Sequence, residues 1–267
     1  MPDILVNGVR LHYNEQGSGS ETIVFSHCFV LDSRHFDPQI EALKGRYRCI
    51  AYDHRGHGRS EVARGGYDME NLYRDAVSLI EALGCAPCHF VGLSTGGFIG
   101  LRLAIRRPEL LKSLTLMDTS AEAEPPEAMK QHRLMLFALR WLGYRPVVGR
   151  AMPIFFGPRF LKDPSRSHEV RQWRQRIMAN DRRALIASAH GIFFRQSVYE
   201  KINAIRTPTL IVVGEKDMST PPEKAKHMAD RIPGARLEVI ADSGHLTTIE
   251  EPAAVNAALK AFLDSQG

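Results

Sequence analysis

The stretch HFVGLSTGGF, residues 89–98, places Ser94 between two glycines in the pattern G-x-S-x-G. An apolar, strand-like run precedes this serine, and the helix-like run TGGFIGLRLAIRRPE follows it. In a sharp strand-to-helix turn, side chains two positions before and after the serine would collide with the backbone, so glycine is needed there. The hydroxyl then stands at the strand tip, where the helix N-terminus favours negative charge. We predict that Ser94 is a nucleophile; the alternative is an ordinary serine in a glycine-rich turn.

A serine nucleophile needs a base, and the base needs an acid that orients it. Asp217 closes the run IVVGEKD and His245 closes the run IADSGH, so both follow predicted strands in the chain order Ser, Asp, His. We predict that His245 takes the serine proton and later protonates the leaving group, while Asp217 fixes the imidazole tautomer. Asp118, at the end of LTLMD, is the rival acid. Each residue alone has an ordinary structural interpretation, and their combination in this order favours catalysis.

Acyl transfer also requires donors for the oxyanion that forms on the substrate. The backbone N–H of Thr95, directly after the nucleophile, is the first candidate. The second should come from the loop SHCFVLDSRHF that follows the strand-like run TIVFS, and Phe29 is our candidate there. The residues that bind the rest of the substrate are not readable from the sequence.

Strand-like and helix-like segments alternate over the first 120 residues. The run ILVNGVRLHYNE predicts a hairpin that turns at Asn7-Gly8. Buried strands are predicted over 22–26, 47–53, 89–93 and 112–118, and helices over 71–84 and 95–109. The alternation returns after residue 206, with strands at 207–217 and 236–245 and helices near 222–231 and 252–266. This pattern predicts an α/β fold with a doubly wound, mostly parallel β-sheet.

The strand pattern stops between about residues 121 and 205, where 121–145 and 168–196 are predicted to be helices. We therefore expect a core domain of residues 1–120 and 206–267 and an inserted helical cap of residues 121–205. A helical block inserted into an α/β sheet suggests a lid over a site at the carboxyl edge of the sheet.

The composition is that of a globular protein, with 267 residues, 44% hydrophobic residues and a net charge of +5. The charge is uneven, because residues 122–206 contain 16 Lys and Arg but 7 Asp and Glu. This basic segment either attracts an anionic substrate or is the solvated face of surface helices. The N-terminus does not resemble a secretory signal and no apolar stretch is long enough to span a membrane, so we expect a cytoplasmic protein with no membrane or nucleic-acid partner.

Four cysteines occur, at positions 28, 49, 85 and 88. Their number fits reduced thiols better than a disulfide framework. The sequence CAPCH at 85–89 matches both a redox and a haem-attachment pattern, but Pro87 and the apolar run after it favour a turn that enters a buried strand. We predict no cofactor and no metal site.

Together these residues resemble the α/β-hydrolase fold superfamily. The loop YDHRGHGRS at 52–60 resembles the family's D-x-R-G-x-G-x-S loop, and HLTTIEEP at 245–252 resembles the segment after the family's histidine. The GLSTGG elbow is similar to those of 3-oxoadipate enol-lactonases and cofactor-free haloperoxidase-like esterases. Where most relatives have His-Gly-x, this chain has His27-Cys28-Phe29, which puts a side chain beside the oxyanion donor. Cys28 is then either a buried filler or a reactive thiol.

The resemblance implies a cofactor-free serine hydrolase that cleaves a carboxylic ester or lactone through an acyl-enzyme. The same fold and residues also serve carbon–carbon hydrolysis, perhydrolysis and hydroxynitrile lysis, which only substrate tests separate. A third possibility is a small-molecule receptor with slow turnover, since such receptors can retain all three residues. The oligomeric state is not readable from the sequence.

Overall fold

A single eight-stranded sheet forms the centre of the computed structural model, which describes residues 2–266. Its strand order is β1-β2-β4-β3-β5-β6-β7-β8, and the pairs from β4 to β8 are all parallel. The strands are β1 (Asp3–Val6), β2 (Val9–Gln16), β3 (Thr22–Ser26), β4 (Arg48–Tyr52), β5 (Cys88–Leu93), β6 (Leu111–Met117), β7 (Thr209–Gly214) and β8 (Arg236–Ile240). The predicted doubly wound, mostly parallel sheet is therefore confirmed.

The antiparallel edge of the sheet begins with the predicted hairpin. Val6 pairs with Val9, and the turn residues Asn7 and Gly8 have φ angles of 44° and 73°. Two successive positive φ angles are those of a type I′ turn, whose twist matches the twist of the flanking strands. The dipeptide Asn-Gly therefore sets the register of β1 on β2.

Helices cover both faces of the sheet and connect its parallel strands. Outside the insertion they are α1 (Asp37–Leu43), α2 (Met69–Ala82), α3 (Thr95–Arg106), α9 (Pro222–Arg231), α10 (Thr247–Glu250) and α11 (Pro252–Asp264). Helix α2 begins where the Asp68 carboxylate accepts bonds from the N–H groups of Glu70 and Asn71. It ends just before Gly84, whose φ of 58° suits glycine.

Between β6 and β7 the chain forms helices in place of further strands, as predicted. These are α4 (Ala128–Leu142), α5 (Arg145–Phe155), α6 (Pro158–Lys162), α7 (Ser167–Met178) and α8 (Arg182–Phe193). The predicted single helix over 168–196 is wrong, because Asp181 starts a new helix by accepting a bond from the N–H of Ala184 at 2.8 Å. The helix predicted over 121–145 begins only after Pro125 and Pro126.

We call residues 121–205 the helical insert. Its apolar side chains Leu139, Phe156 and Trp173 are buried in the same hydrophobic cluster as Phe25 and Val91 of the sheet. The insert therefore shares one continuous hydrophobic core with the sheet. In the described part of the chain, no helix is long and apolar enough to cross a membrane.

Candidate active site

The backbone around Ser94 forms the sharp turn that its glycine pattern predicts. Ser94 directly follows β5, has φ 52° and ψ −106°, and precedes the first residue of α3. A Cβ on Gly92 would lie 2.3 Å from the carbonyl carbon of Gly96, and one on Gly96 would lie 1.9 Å from the oxygen of Ser26. Such a serine conformation costs about 1–3 kcal/mol and persists only where its surroundings enforce it.

Two hydrogen bonds hold this strained residue. The amide of Ser94 donates to the carbonyl of Met117 on the neighbouring strand at 2.8 Å, and its own carbonyl accepts the Thr119 hydroxyl at 2.8 Å. The side chain is 7% exposed. The Ser94 hydroxyl is thus fixed at the carboxyl edge of the sheet.

The two other predicted residues of the triad are in direct contact at the same edge. Nδ1 of His245 lies 2.8 Å from Oδ2 of Asp217. A carboxylate only accepts, so the imidazole donates from Nδ1, and Nε2 of the neutral ring is left with a lone pair for a proton. Asp217 and His245 follow the adjacent parallel strands β7 and β8. Strand order therefore brings together residues that are distant in sequence.

The Asp217 carboxylate is oriented by its own loop. Its Oδ1 accepts bonds from the N–H groups of Ser219 at 2.8 Å and Thr220 at 2.9 Å. The Thr220 hydroxyl donates to Oδ2 at 2.8 Å and also lies 3.3 Å from Nδ1 of His245. Thr220 was not singled out from the sequence, where nothing distinguishes it from any threonine after a turn aspartate.

Charges around His245 shape its proton affinity. Burial by itself would lower the pKa of this imidazole, but the charge and hydrogen bond of Asp217 raise it, with further contributions from Asp118 and Glu250. The net result is a pKa above the usual 6.5. The pair Asp217–His245 therefore favours a protonated ring, which is what a base requires after it has taken a proton.

The rival acid Asp118 is placed differently. Its carboxylate accepts the N–H of Gly214 at 2.9 Å and the hydroxyl of Thr247 at 2.6 Å. Burial and repulsion by Asp217 raise its pKa well above the usual value. The structure thus pairs Asp217, and not Asp118, with the Nδ1 atom of His245.

The loop that carries the second predicted oxyanion donor is held by a buried histidine. The amide of His54 donates to Nε2 of His27 at 2.8 Å, so the His27 proton is on Nδ1, which lies 2.6 Å from the carbonyl oxygen of Cys28. Burial lowers the pKa of His27, which keeps the ring neutral. Across a trans peptide the N–H of Phe29 points away from that carbonyl. His27 therefore sets the direction of this N–H.

A further bond joins this loop to the elbow. The amide of Gly96 donates to the carbonyl of His27 at 3.1 Å, which places the loop beside the first turn of α3. The first N–H groups of a helix lack acceptors within the helix, and Thr95 is the first residue of α3. The side chain of Cys28 is buried, and burial raises the pKa of its thiol to about 12. This favours the buried-filler interpretation of Cys28.

The helical insert contacts the histidine loop through its backbone. The amide of His245 donates to the carbonyl of Phe155 at 3.0 Å, and the two rings lie 6.1 Å apart. Buried Glu250 accepts N–H bonds from Gly157 at 2.9 Å and Gly244 at 3.1 Å. Glu250 lies in the HLTTIEEP segment, where no local pattern indicates its role, because its contacts arise from the tertiary structure.

Two arginines of the basic insert make hydrogen bonds within the protein. Buried Arg195 donates to the Glu124 carboxylate at 2.7 Å and lies over the Phe98 ring at 3.9 Å. Arg166 donates to the carbonyl groups of Glu250 and Ile249. Within residues 2–266, no group of three or more His, Cys, Asp or Glu side chains is arranged to hold a metal ion.

Comparison with known proteins identifies the family of this chain. Residues 21–252 match the alpha/beta hydrolase fold family, and the chain belongs to this family. It is an enzyme of the hydrolase class, as the sequence predicted.

Solved structures and a curated relative extend over nearly the whole chain. An esterase from Thermogutta terrifontis is 28% identical, with a TM-score of 0.91, and the match covers 99% of this chain and 98% of that one. The enol-lactonase from Burkholderia xenovorans LB400 is 27% identical, with a TM-score of 0.92 and coverages of 98% and 100%. A putative carbamate hydrolase RutD of Pseudomonas syringae pv. syringae is 28% identical, with coverages of 94% and 96%.

Proposed function

We propose that this protein hydrolyses a carboxylic ester or lactone through an acyl-enzyme on Ser94, with His245 as base and Asp217 as the orienting acid. The observation that carries the proposal is the 2.8 Å contact between Asp217 and His245, at the sheet edge where the strained elbow holds Ser94. The similarity to an esterase and an enol-lactonase supports the choice of substrate class.

In the first half-reaction Nε2 of His245 accepts the Ser94 proton as Oγ bonds to the acyl carbon. The N–H groups of Thr95 and Phe29 donate to the oxyanion of the tetrahedral intermediate. Collapse of the intermediate breaks the bond to the leaving oxygen, which takes the proton from His245. The acyl group is then esterified to Ser94.

In the second half-reaction water replaces the alcohol. His245 takes a proton from water as its oxygen attacks the acyl carbon, and the proton then returns to Ser94 as the carboxylic acid leaves. We propose that the core comprises residues 1–120 and 206–267 and that the insert, residues 121–205, is the lid over this site. The backbone bond from His245 to Phe155 supports that placement.

A carbamate is a second candidate substrate, because a relative over 94% of this chain is named a putative carbamate hydrolase. The same three residues would attack a carbamate carbonyl. His245 would then protonate a leaving nitrogen or oxygen.

The test is hydrolysis of p-nitrophenyl esters of increasing acyl length, of a lactone series and of a carbamate by wild type and Ser94→Ala. Removal of the nucleophile should reduce kcat/KM about a thousand-fold or more. Ser20→Ala, at an exposed position, is the matched control and should match wild type. A covalent acyl adduct on Ser94, detected by intact mass after rapid quenching, separates the acyl-enzyme route from direct attack by water. Equal rates for wild type and Ser94→Ala would refute the proposal.

A further inference from the structure

Helix α4 turns an apolar stripe away from the protein. Leu134, Phe137 and Trp141 are 66%, 60% and 66% exposed, whereas Leu139 on the same helix is 4% exposed. Residues spaced by three and four positions share one face of a helix, so these three side chains form a continuous stripe opposite the buried one. An aromatic pair strengthens the stripe, since the rings of Phe137 and Trp141 lie 6.4 Å apart. We call Leu134, Phe137 and Trp141 the α4 stripe.

The charged residues of α4 and of the segment that follows it are all cations. Lys130, Arg133 and Arg140 on α4 are all exposed. Residues 128–162 contain seven Lys and Arg and no Asp or Glu. The Arg140 guanidinium lies 5.7 Å from the Trp141 ring centroid, and that of Arg133 lies 5.8 Å from the ring of half-exposed Phe194. The stripe is therefore bordered by cations over its whole length.

An exposed stripe of Leu, Phe and Trp with flanking Lys and Arg is the pattern of helices that lie in the plane of a membrane surface. Tryptophan suits the headgroup region because its ring is apolar while its N–H can remain hydrated. Long basic side chains extend from apolar surface toward lipid phosphates. A second copy of this chain is disfavoured as the occupant, because two-fold pairing of the face would bring like charges together.

We propose that the α4 stripe and its flanking cations bind the surface of an anionic lipid bilayer. Leu134, Phe137 and Trp141 enter the headgroup and upper acyl region, while Lys130, Arg133 and Arg140 contact lipid phosphates. No membrane partner was expected from the sequence, because no segment is long enough to span a bilayer. Binding in the plane of the surface needs no such segment. This binding does not depend on the proposed hydrolysis, and it would place the enzyme at a membrane surface.

Binding of the protein to vesicles tests the proposal directly. The chain has two tryptophans, and Trp173 is 9% exposed, so a blue shift of fluorescence on binding reports chiefly on Trp141. We expect co-sedimentation and a blue shift with phosphatidylglycerol vesicles at low salt and neither with phosphatidylcholine vesicles. Raising the salt to about 1 M shortens the Debye length to about 3 Å and should release the protein.

Matched variants distinguish binding through the α4 stripe from non-specific adsorption of the protein to vesicles. Leu134→Ser should weaken partitioning about ten-fold or more, whereas Leu5→Ser, at a position that is 75% exposed, should not. Arg140→Gln should weaken it about five-fold, and exposed Arg64→Gln should have less effect. Circular dichroism and ester hydrolysis in solution check that each variant is folded.

Three outcomes would overturn the proposal. One is no binding to phosphatidylglycerol at low salt. Another is equal binding by Leu134→Ser and Leu5→Ser, which would place the contact elsewhere. The third is a concentration-dependent dimer in sedimentation velocity that Leu134→Ser abolishes, which would assign the face to a second copy of the chain.

Discussion

Replacement of Glu250 by glutamine tests how the insert supports the histidine loop. Oε2 of Glu250 accepts the N–H groups of Gly157 and Gly244 at 2.9 and 3.1 Å, and Oε1 accepts that of Leu246 at 3.4 Å. A glutamine can keep its oxygen toward the first two groups, but its NH₂ group then faces the N–H of Leu246. The substitution therefore removes one acceptor and the charge while it preserves the shape.

The expected loss of stability in Glu250→Gln can be worked out from these three hydrogen bonds. A buried N–H without an acceptor costs about 1–3 kcal/mol, and the two bonds that remain lose charge assistance worth about 1 kcal/mol each. Relief from burying a carboxylate offsets part of this loss. We expect Glu250→Gln to lower the free energy of unfolding by about 2 kcal/mol. Because Gly244 and Leu246 flank His245, we also expect kcat to fall about ten-fold or more with a smaller change in KM.

The neighbouring residue is a matched control. Glu251 makes one long ion pair, 3.8 Å to the exposed Arg159, so Glu251→Gln should change stability by no more than about 0.5 kcal/mol. Urea denaturation followed by circular dichroism gives the stabilities, and p-nitrophenyl ester kinetics give kcat and KM. If Glu250→Gln matched Glu251→Gln in both stability and kcat, the reasoning about this carboxylate would be wrong.

Three further predictions concern the site itself. Asp217→Asn should lower kcat/KM about 10⁴-fold, because the amide no longer fixes the tautomer of His245, whereas Asp118→Asn should cost far less; a larger loss for Asp118→Asn in the same ester assay would reverse the assignment of the acid. Since the base must be neutral and its pKa is raised, kcat/KM should fall with acidification through a midpoint above 6.5; in Asp217→Asn the midpoint should move lower, and a pH-rate series that shows no shift would contradict this electrostatic account. The Cys28 thiol should resist a disulfide reagent in the folded protein, because burial raises its pKa to about 12, and rapid labelling that Cys28→Ala abolishes would refute it.

Local sequence signals predicted the elements that carry the site. The dipeptide Asn7-Gly8 specified its turn by itself, and the apolar run 89–93 predicted a strand that is observed over Cys88–Leu93. Because parallel strands place their carboxyl ends at one edge of the sheet, the predicted strands also indicated that Asp217 and His245 lie close to each other. Their contact in the structure agrees with that expectation.

The remaining features depend on contacts between distant segments. One helix was predicted over 168–196, but α7 ends at Met178, where the Asn180 side chain donates to the carbonyl of Ile177 at 3.0 Å and to that of Val30 at 2.8 Å. No helix was predicted where α5 lies, and this helix contains Pro153, a residue that disfavours helix interiors. Thr220 and Glu250 act through partners that no local pattern specifies. Tertiary contacts therefore determine these helix boundaries and side-chain roles, which local propensity does not specify.

The bond from His245 to Phe155 has a consequence for how specificity can diversify in this chain. The carbonyl of Phe155 and the N–H of Gly157 are backbone groups, so a chimaera with a foreign insert keeps their bonds to His245 and Glu250 only if its backbone follows the same path there. Grafting must therefore splice around residues 155–157 and exchange only the segments on either side. The contacts that Arg166 and Asn180 make with carbonyl groups of the core would have to be retained as well, so only the rest of the insert can be exchanged without loss of turnover.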